Sequence, residues 1–286
     1  MEMRLKGKGF WIGLILVLGL TLASVLAPIL APFDPTDQMI VARMSPPAWM
    51  DGGSMEHPLG TDHLGRDILS RLLYAARLSI IIGVVTAVAS SLVGTLIGVV
   101  AGYYGGWLST VLMRLLDIQT AFPYLVIAVA VVAVLGPTPT VIIVTLALWT
   151  WVPFGRVAHA ATLRARGTEY VEQSRISGAT DTRILLRHVL PNVLPSTLVI
   201  WAFAVSQVIV AESALSFLGL GIQPPTATLG GMVSDGRNYL GLADWIALVP
   251  AATIVAVTLG VNLVGDGLRD RVEPDQETSK AKRGTR

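Results

Sequence analysis

Glu172-Gln173-Ser174-Arg175-Ile176-Ser177-Gly178-Ala179 lies at the centre of an arginine-rich segment, Arg156 to Pro191, with long apolar stretches on both sides. The segment carries six arginines against three acids. Between two membrane spans, a charged loop of that size exceeds what a connector needs. It reads as a platform that another protein touches, and it makes what drives this chain the central question.

Composition places the chain in a membrane before any motif does. Of 286 residues, 53% are hydrophobic and 14% charged, with a mean hydropathy of +0.65; soluble domains carry about 25% charged residues. The net charge of +2 comes without basic patches interleaved with aromatics, so nucleic acid is not an expected partner. With no cysteine, disulfides, thiolate metal sites and cysteine nucleophiles are excluded.

Crossing a hydrocarbon core of about 30 Å takes roughly 20 helical residues. The run Phe10–Phe33 is uncharged and follows Arg4, Lys6 and Lys8; it is longer than a signal-peptide core and lacks a clear small-x-small cleavage site, so an uncleaved anchor is expected. Asp34–Arg77 is polar, with six acids and four arginines. Span two is expected at about Leu78–Ala101, ended by Gly102-Tyr103-Tyr104-Gly105-Gly106-Trp107, and span three starts near Met113. Gly136-Pro137-Thr138-Pro139 divides the uncharged stretch Ile118–Gly155 into spans three and four, since neither proline fits a continuing helix. Spans five and six fall at about Leu194–Leu218 and Asp244–Gly267.

That gives an all-α polytopic membrane protein of six spans. In domain terms, 1–77 is an anchor helix plus an extracytoplasmic polar segment, 78–268 a transmembrane domain containing the loop 156–191, and 269–286 a charged tail expected to be disordered after Arg271. The bias of arginine and lysine puts both termini and the 156–191 loop on the cytoplasmic side.

Several chemistries are excluded. No G-x-x-x-x-G-K-[ST] occurs, so this chain has no Walker A loop for ATP. The four histidines are scattered, and neither G-x-S-x-G nor H-E-x-x-H is present; no catalytic residue, cofactor or metal is expected on this chain. Charges inside the spans are few: Glu212, with Arg114, Asp117 and Asp266 near the inner ends. That is thin support for a proton- or sodium-coupled carrier.

Glu172, Gly178 and then Leu190-Pro191 resemble the "EAA" loop of permease subunits of bacterial ABC importers, where Glu-Ala-Ala is followed by Gly and later by hydrophobic-x-Leu-Pro. Further stretches are similar to the C-type permease of dipeptide, oligopeptide and nickel importers: His57 through Asp67 after the first span, Ala211 through Gly221, and Gly265 through Asp270. The matches span nearly the whole chain, Phe10 to about Pro274. Two departures stand out: Gln173-Ser174 replace Ala-Ala, and His188 takes an aliphatic position. The resemblance implies a second homologous permease subunit, two ATP-binding subunits that hold ATP and Mg, an extracytoplasmic substrate-binding protein, and import by alternating access. It also implies that Glu172, Gln173, Ser174, Gly178, Ala179, Leu190 and Pro191 form the ATPase-coupling loop.

The residues of that loop predict a helix–Gly–helix elbow in their own right. Tyr170–Ser177 forms a short helix with Glu169 and Glu172 near its start, where the macrodipole favours anions. Gly178 permits a positive-φ turn, Thr180 serves as N-cap, and Asp181–Leu190 forms the second helix, with Pro191 and Pro195 bounding the return to the membrane. Gly65-Arg66-Asp67 is either a local turn salt bridge or part of an outer gate or binding-protein dock. Glu212 should be buried, paired with an arginine or backbone or else in contact with substrate. Arg114 and Asp117 pair at i,i+3. Trp149, Trp151 and Tyr103 are expected to anchor the membrane interface. A stand-alone ion-coupled carrier and a non-transporting scaffold are the two competing readings.

Overall fold

The computed structural model describes residues 2–272, with side chains for 8–271; the charged tail expected after Arg271 otherwise lies outside the described residues. Among these the regular structure is helical, with one isolated bridge between Thr61 and Asp67, and the segment 31–67 is mostly turns and irregular backbone. α1 (Glu2–Val25) and the short α2 (Ala27–Leu30) lead into the polar outer segment. α3 (Ile68–Tyr104) starts well before the expected Leu78, because Asp67 caps it by accepting from the Ser70 N–H at 2.7 Å. It ends where expected, at Gly105, whose φ is +67°.

Span three differs from expectation. It starts at Gly106 rather than near Met113, and it is broken: α4 (Gly106–Thr120) and α5 (Tyr124–Leu135) meet at 81°. The cause is Pro123, which lacks an N–H and disfavours the helical conformation at Phe122. Five helices are long and apolar enough to cross a bilayer, and six spans result when the bent pair counts as one. α6 (Pro139–Arg166) opens as the turn motif predicts, with Thr138 accepting from the Val141 N–H at 3.3 Å.

α6 continues to Arg166, so the first part of the arginine-rich segment is the inner end of a span and not a loop. The elbow consists of α7 (Glu169–Ile176) and α8 (Asp181–Ile184). α8 runs on through a π-type turn at Leu185–Val189 into α9 (Leu190–Phe217). The expected boundary at Pro191 and Pro195 is therefore absent. The wider turn lies just ahead of Pro191 and relieves the clash its ring would make with the carbonyl four residues earlier. The outer α10 (Leu229–Gly236) and then α11 (Trp245–Val272) complete the chain.

The tightest seam joins α3 to α6. Gly94, Gly98 and Gly102 repeat at four-residue spacing along one face of α3. A Cβ on Gly98 would sit 2.7 Å from Ala158 Cβ, and one on Gly102 would sit 2.7 Å from Thr162 Cβ. Missing side chains let the two backbones touch, the usual means by which helices associate in lipid, where hydrophobic burial gives no drive. At the outer end, Ile68, Ala75, Leu229, Met232 and Ile246 pack into one cluster that binds α3, α10 and α11 together. Trp245 donates to the Thr61 carbonyl at 3.2 Å across it.

Gly98→Val should therefore break the α3–α6 seam, at about 1–3 kcal/mol or more for overpacking. Gly19→Ala, at a helical site with open space around its Cβ, should be neutral or slightly stabilising. Thermal melting of the detergent-solubilised protein distinguishes them; equal midpoints for the two variants would contradict this seam.

Candidate functional site

Gly178 separates the two arms of the elbow with φ +80°, as a helix–Gly–helix turn requires. No atom lies within 4 Å of where its Cβ would be, so the demand for glycine comes from the backbone alone. The Ala179 N–H closes the turn on the Ser174 carbonyl at 3.1 Å. Thr180 has the extended backbone of an N-cap, but its side chain makes no capping hydrogen bond.

Each arm has one buried face. Val171 from α7, Ile184 from α8 and Val189 from the π-type turn are fully buried against Val99, Tyr103, Ala158 and Ala161 of α3 and α6. The opposite face is open: Glu172, Gln173 and Gly178 are exposed, and Ile176 at the tip is 83% exposed. Ser174, Ala179 and Leu190 are half-buried, and Pro191 is exposed at the start of α9.

The two departures from the family pattern touch one another. Ser174 Oγ lies 3.3 Å from His188 Nε2 and donates to the Tyr170 carbonyl at 2.8 Å. The Asn192 amide in turn donates to the Tyr170 hydroxyl at 3.0 Å. A polar contact thus links the first arm to the second where the family pattern has small and aliphatic side chains.

Tyr103 sits beneath the elbow and is 4% exposed, not at a lipid interface. Its hydroxyl donates to Asp181 Oδ1 at 2.6 Å, and Arg175 lies over its ring at 5.8 Å. Its carbonyl accepts from Arg166 at 2.9 Å. One residue at the end of α3 thus holds α7 and α8 through its side chain and α6 through its carbonyl. Hydrogen bonding to that hydroxyl raises the already high pKa of Arg175. The sequence marks neither role: aromatics at helix ends usually anchor the interface, as expected here of Tyr103, and nothing in the neighbours of Ile176 marks it as a tip.

Trp149 and Trp151 likewise lie deep in α6 instead of at an interface. Trp151 donates to Gln119 Oε1 at 2.9 Å, and Trp149 packs on Tyr124 with ring centroids 5.9 Å apart. The expected Arg114–Asp117 pair is replaced by one between helices: Asp117 pairs with Arg156 at 3.1 Å, and Arg156 also reaches Thr120.

Glu212 is fully buried, as expected, but its partners are hydroxyls and not an arginine or backbone. Ser79 of α3 donates at 3.1 Å and Ser216, one turn along α9, at 2.8 Å. Outside, Arg66 binds Asp62 at 2.6 Å and reaches Asp235 of α10 at 3.6 Å; Arg71 bridges the same two acids at 3.5 and 3.9 Å. Asp67 accepts from Ser70 and contacts His57 Nδ1 at 3.0 Å. Gly65 turns at φ +78° against the Met39 carbonyl. The cluster is more than a local turn, because it ties the outer segment to α10.

Among the described residues no group of three or more His, Cys, Asp or Glu side chains could hold a metal ion. What the arrangement offers is mechanical: a stiff exposed knob continuous with one span and clasped to two others.

Comparison with known proteins agrees with that arrangement. Residues 5–47 match the N-terminal transmembrane domain of oligopeptide transport permease C. The chain is 39% identical to the dipeptide transport system permease protein of Haemophilus influenzae over 94% of this chain and 91% of that protein. It is 40% identical to the di/tripeptide transport system permease protein of Pseudomonas aeruginosa over 93% and 88%, and 42% identical to the dipeptide transport system permease protein of Escherichia coli K12 over 94% and 90%. With residues 94–278 also matching the family as a whole, the chain belongs to the inner membrane components of binding-protein-dependent transport systems.

Proposed function

We propose that this chain forms half of the translocation pathway of an ATP-driven peptide importer and takes its energy through the elbow at Glu169–Val189. The observation that carries this reading is the helix that runs on from Asp181 to Phe217: the second arm of the elbow and a membrane span are continuous. A push on the first arm passes through the Gly178 turn, which the Ala179 N–H closes on the Ser174 carbonyl, and from there along the span. Exposed Ile176 and Glu172 offer an apolar point and a charge to an ATP-binding subunit, while Val171, Ile184 and Val189 keep the knob seated. The peptide substrate is supported by the names of the relatives.

The assembly comprises a second homologous permease subunit, two ATP-binding subunits holding ATP and Mg, and an extracytoplasmic binding protein. Both termini lie in the cytoplasm. The Arg66–Asp62–Arg71–Asp235 cluster, with Gly65 and Asp67, braces the outer rim on which the binding protein rests. Glu212 fixes α9 to α3 near that rim and does not contact solute. ATP closes the partner subunits, the elbows move with them, and the spans re-pack to face outward.

Orientation is checked by single cysteines in this cysteine-free chain. In intact cells, Asp51→Cys should react with an impermeant reagent and Arg175→Cys should not; labelling of the latter from outside would invert the topology and remove the docking role.

Coupling is tested at Gly178. Valine there is strained by the positive φ, at about 1 kcal/mol or more, but meets no neighbour, so distortion stays in the knob. Gly178→Val and Glu172→Lys should leave subunit stoichiometry intact and weaken attachment of the ATP-binding subunits or lower peptide uptake per ATP hydrolysed in reconstituted vesicles. Full complex, full stimulated hydrolysis and full uptake in both variants would refute the elbow as coupling element.

Tyr103→Phe removes only the hydroxyl that holds Asp181, a charge-assisted bond worth about 1.5–3 kcal/mol. It should assemble normally and also transport less per ATP, whereas a purely structural Tyr103 would change the melting point alone.

A further inference from the structure

An opening at mid-membrane is left unused by the coupling elbow. Between the break that joins α4 to α5 and the helices α6 and α9 lies a cavity of about 200 Å³, whose polar and aromatic lining is Thr120, Tyr124, Trp149, Thr150 and Gln207 and whose remaining wall is apolar, Leu146 and Val208 among it. At 1.5 Å per residue, Gln207 is about 15 Å from the Phe217 end of α9 and Thr150 about 17 Å from the Pro139 end of α6. Both therefore lie near the centre of a bilayer about 30 Å thick.

The polar groups at this depth are not tucked away. Gln207 is exposed and makes no side-chain hydrogen bond among the described residues. Nearer the cytoplasmic end of α6, the Asp117–Arg156 pair leaves 59% and 51% of its side chains exposed. By contrast, large exposed side chains at the middle of α11 are Val255 and Leu259. A carboxamide and an ion pair facing acyl chains would be strongly disfavoured. This side of α4, α6 and α9 therefore faces water or a polar ligand, while α11 faces lipid.

The geometry points to this pocket as the place where this chain touches the solute in transit, a short peptide held by its backbone amides. Gln207 can both donate to and accept from a peptide group, and the hydroxyl of Thr150, already donating to the Leu146 carbonyl at 2.8 Å, keeps its oxygen free as an acceptor. The rings of Tyr124 and Trp149 give flat walls that tolerate different side chains. Gln119, bound to the Leu148 carbonyl and to Trp151, stiffens the wall. The Asp117–Arg156 pair offers both signs of charge to a zwitterion leaving inward. A lining without formal charge suits a solute that must also be released. Broken helices at the bilayer midplane build solute sites in other transporters for the same reason: they are where backbone and side chains can stay polar at depth.

This inference rests on the peptide-import reading, and its test separates the two. In the reconstituted full complex, Gln207→Cys should react with an anionic methanethiosulfonate, and a saturating dipeptide with the binding protein should slow the reaction. Val255→Cys should stay unreactive, because a lipid-facing thiol does not ionise. Gln207→Leu should move about tenfold less dipeptide per ATP hydrolysed, with Gln207→Asn in between, as for a site that loses a hydrogen bond to its solute. If Gln207→Cys reacts no faster than Val255→Cys, or if Gln207→Leu imports like the wild type, the pocket is not on the pathway. A wild-type complex that takes up no dipeptide, with Gln207→Cys still reactive, would overturn the peptide-import reading and with it the peptide as occupant, leaving an aqueous pocket for another solute.

Discussion

Backbone contact between α3 and α6 is the constraint from which the remaining geometry follows. Gly94, Gly98 and Gly102 bring the two helices so close that neither can slide or rotate without clashing with Phe154, Ala158 or Thr162. With that pair fixed, its inner ends become a rigid seat. Val99, Tyr103, Ala158 and Ala161 form the surface on which the elbow sits, and Tyr103 is placed to hold Asp181. At the other end, α3 presents Ser79 to Glu212 and Ser70 to Asp67. One tightly packed pair thus sets both the knob at one end of the bundle and the rim at the other.

A knob on such a seat has two ways to pass on movement. Through α8 and the π-type turn it is continuous with α9, so displacement along that helix is direct. Through Tyr103, Arg175 and Arg166 it is clasped to α3 and α6, where movement depends on a few polar bonds. The Tyr103–Asp181 and Arg166–Tyr103 bonds are half-buried, so water competes less well for them than for the exposed Arg175 contact. The elbow is stiff toward one span and conditionally attached to the others. Under the proposed coupling role, that asymmetry would let α9 shift relative to the α3–α6 pair instead of carrying the whole bundle as one block.

Where the spans start and stop was largely legible because glycine, proline and capping residues act locally: Gly105, Thr138-Pro139 and Gly178 all do what their chemistry predicts. The misreadings concern partners. Asp117 was assigned to Arg114, its neighbour on the same helix, since the crossing that brings Arg156 closer is a tertiary fact. For Glu212 the expectation was an arginine, backbone or substrate contact, because sequence does not reveal that Ser79, 133 positions away, lies opposite. Pro191 was read as a boundary by a rule that holds for α-helical turns, and a π-type turn evades it. Ser174 and His188 each looked like a loss from the family pattern, and only their proximity shows that one substitution meets the other.

The break in span three looks at first like evidence for an ion-coupled carrier, since such proteins use interrupted helices to hold ions. The groups around it argue otherwise. A cation at the midplane needs carboxylates or several converging carbonyls. Here the lone acid nearby, Asp117, is already matched by Arg156, and Glu212 is turned away toward Ser79 and Ser216. What remains around the break is an amide, hydroxyls, aromatic rings and aliphatic wall, a set that has little to give an ion. Energy must then arrive from elsewhere, which is the premise of the coupling role proposed for the exposed elbow at the opposite end of α9.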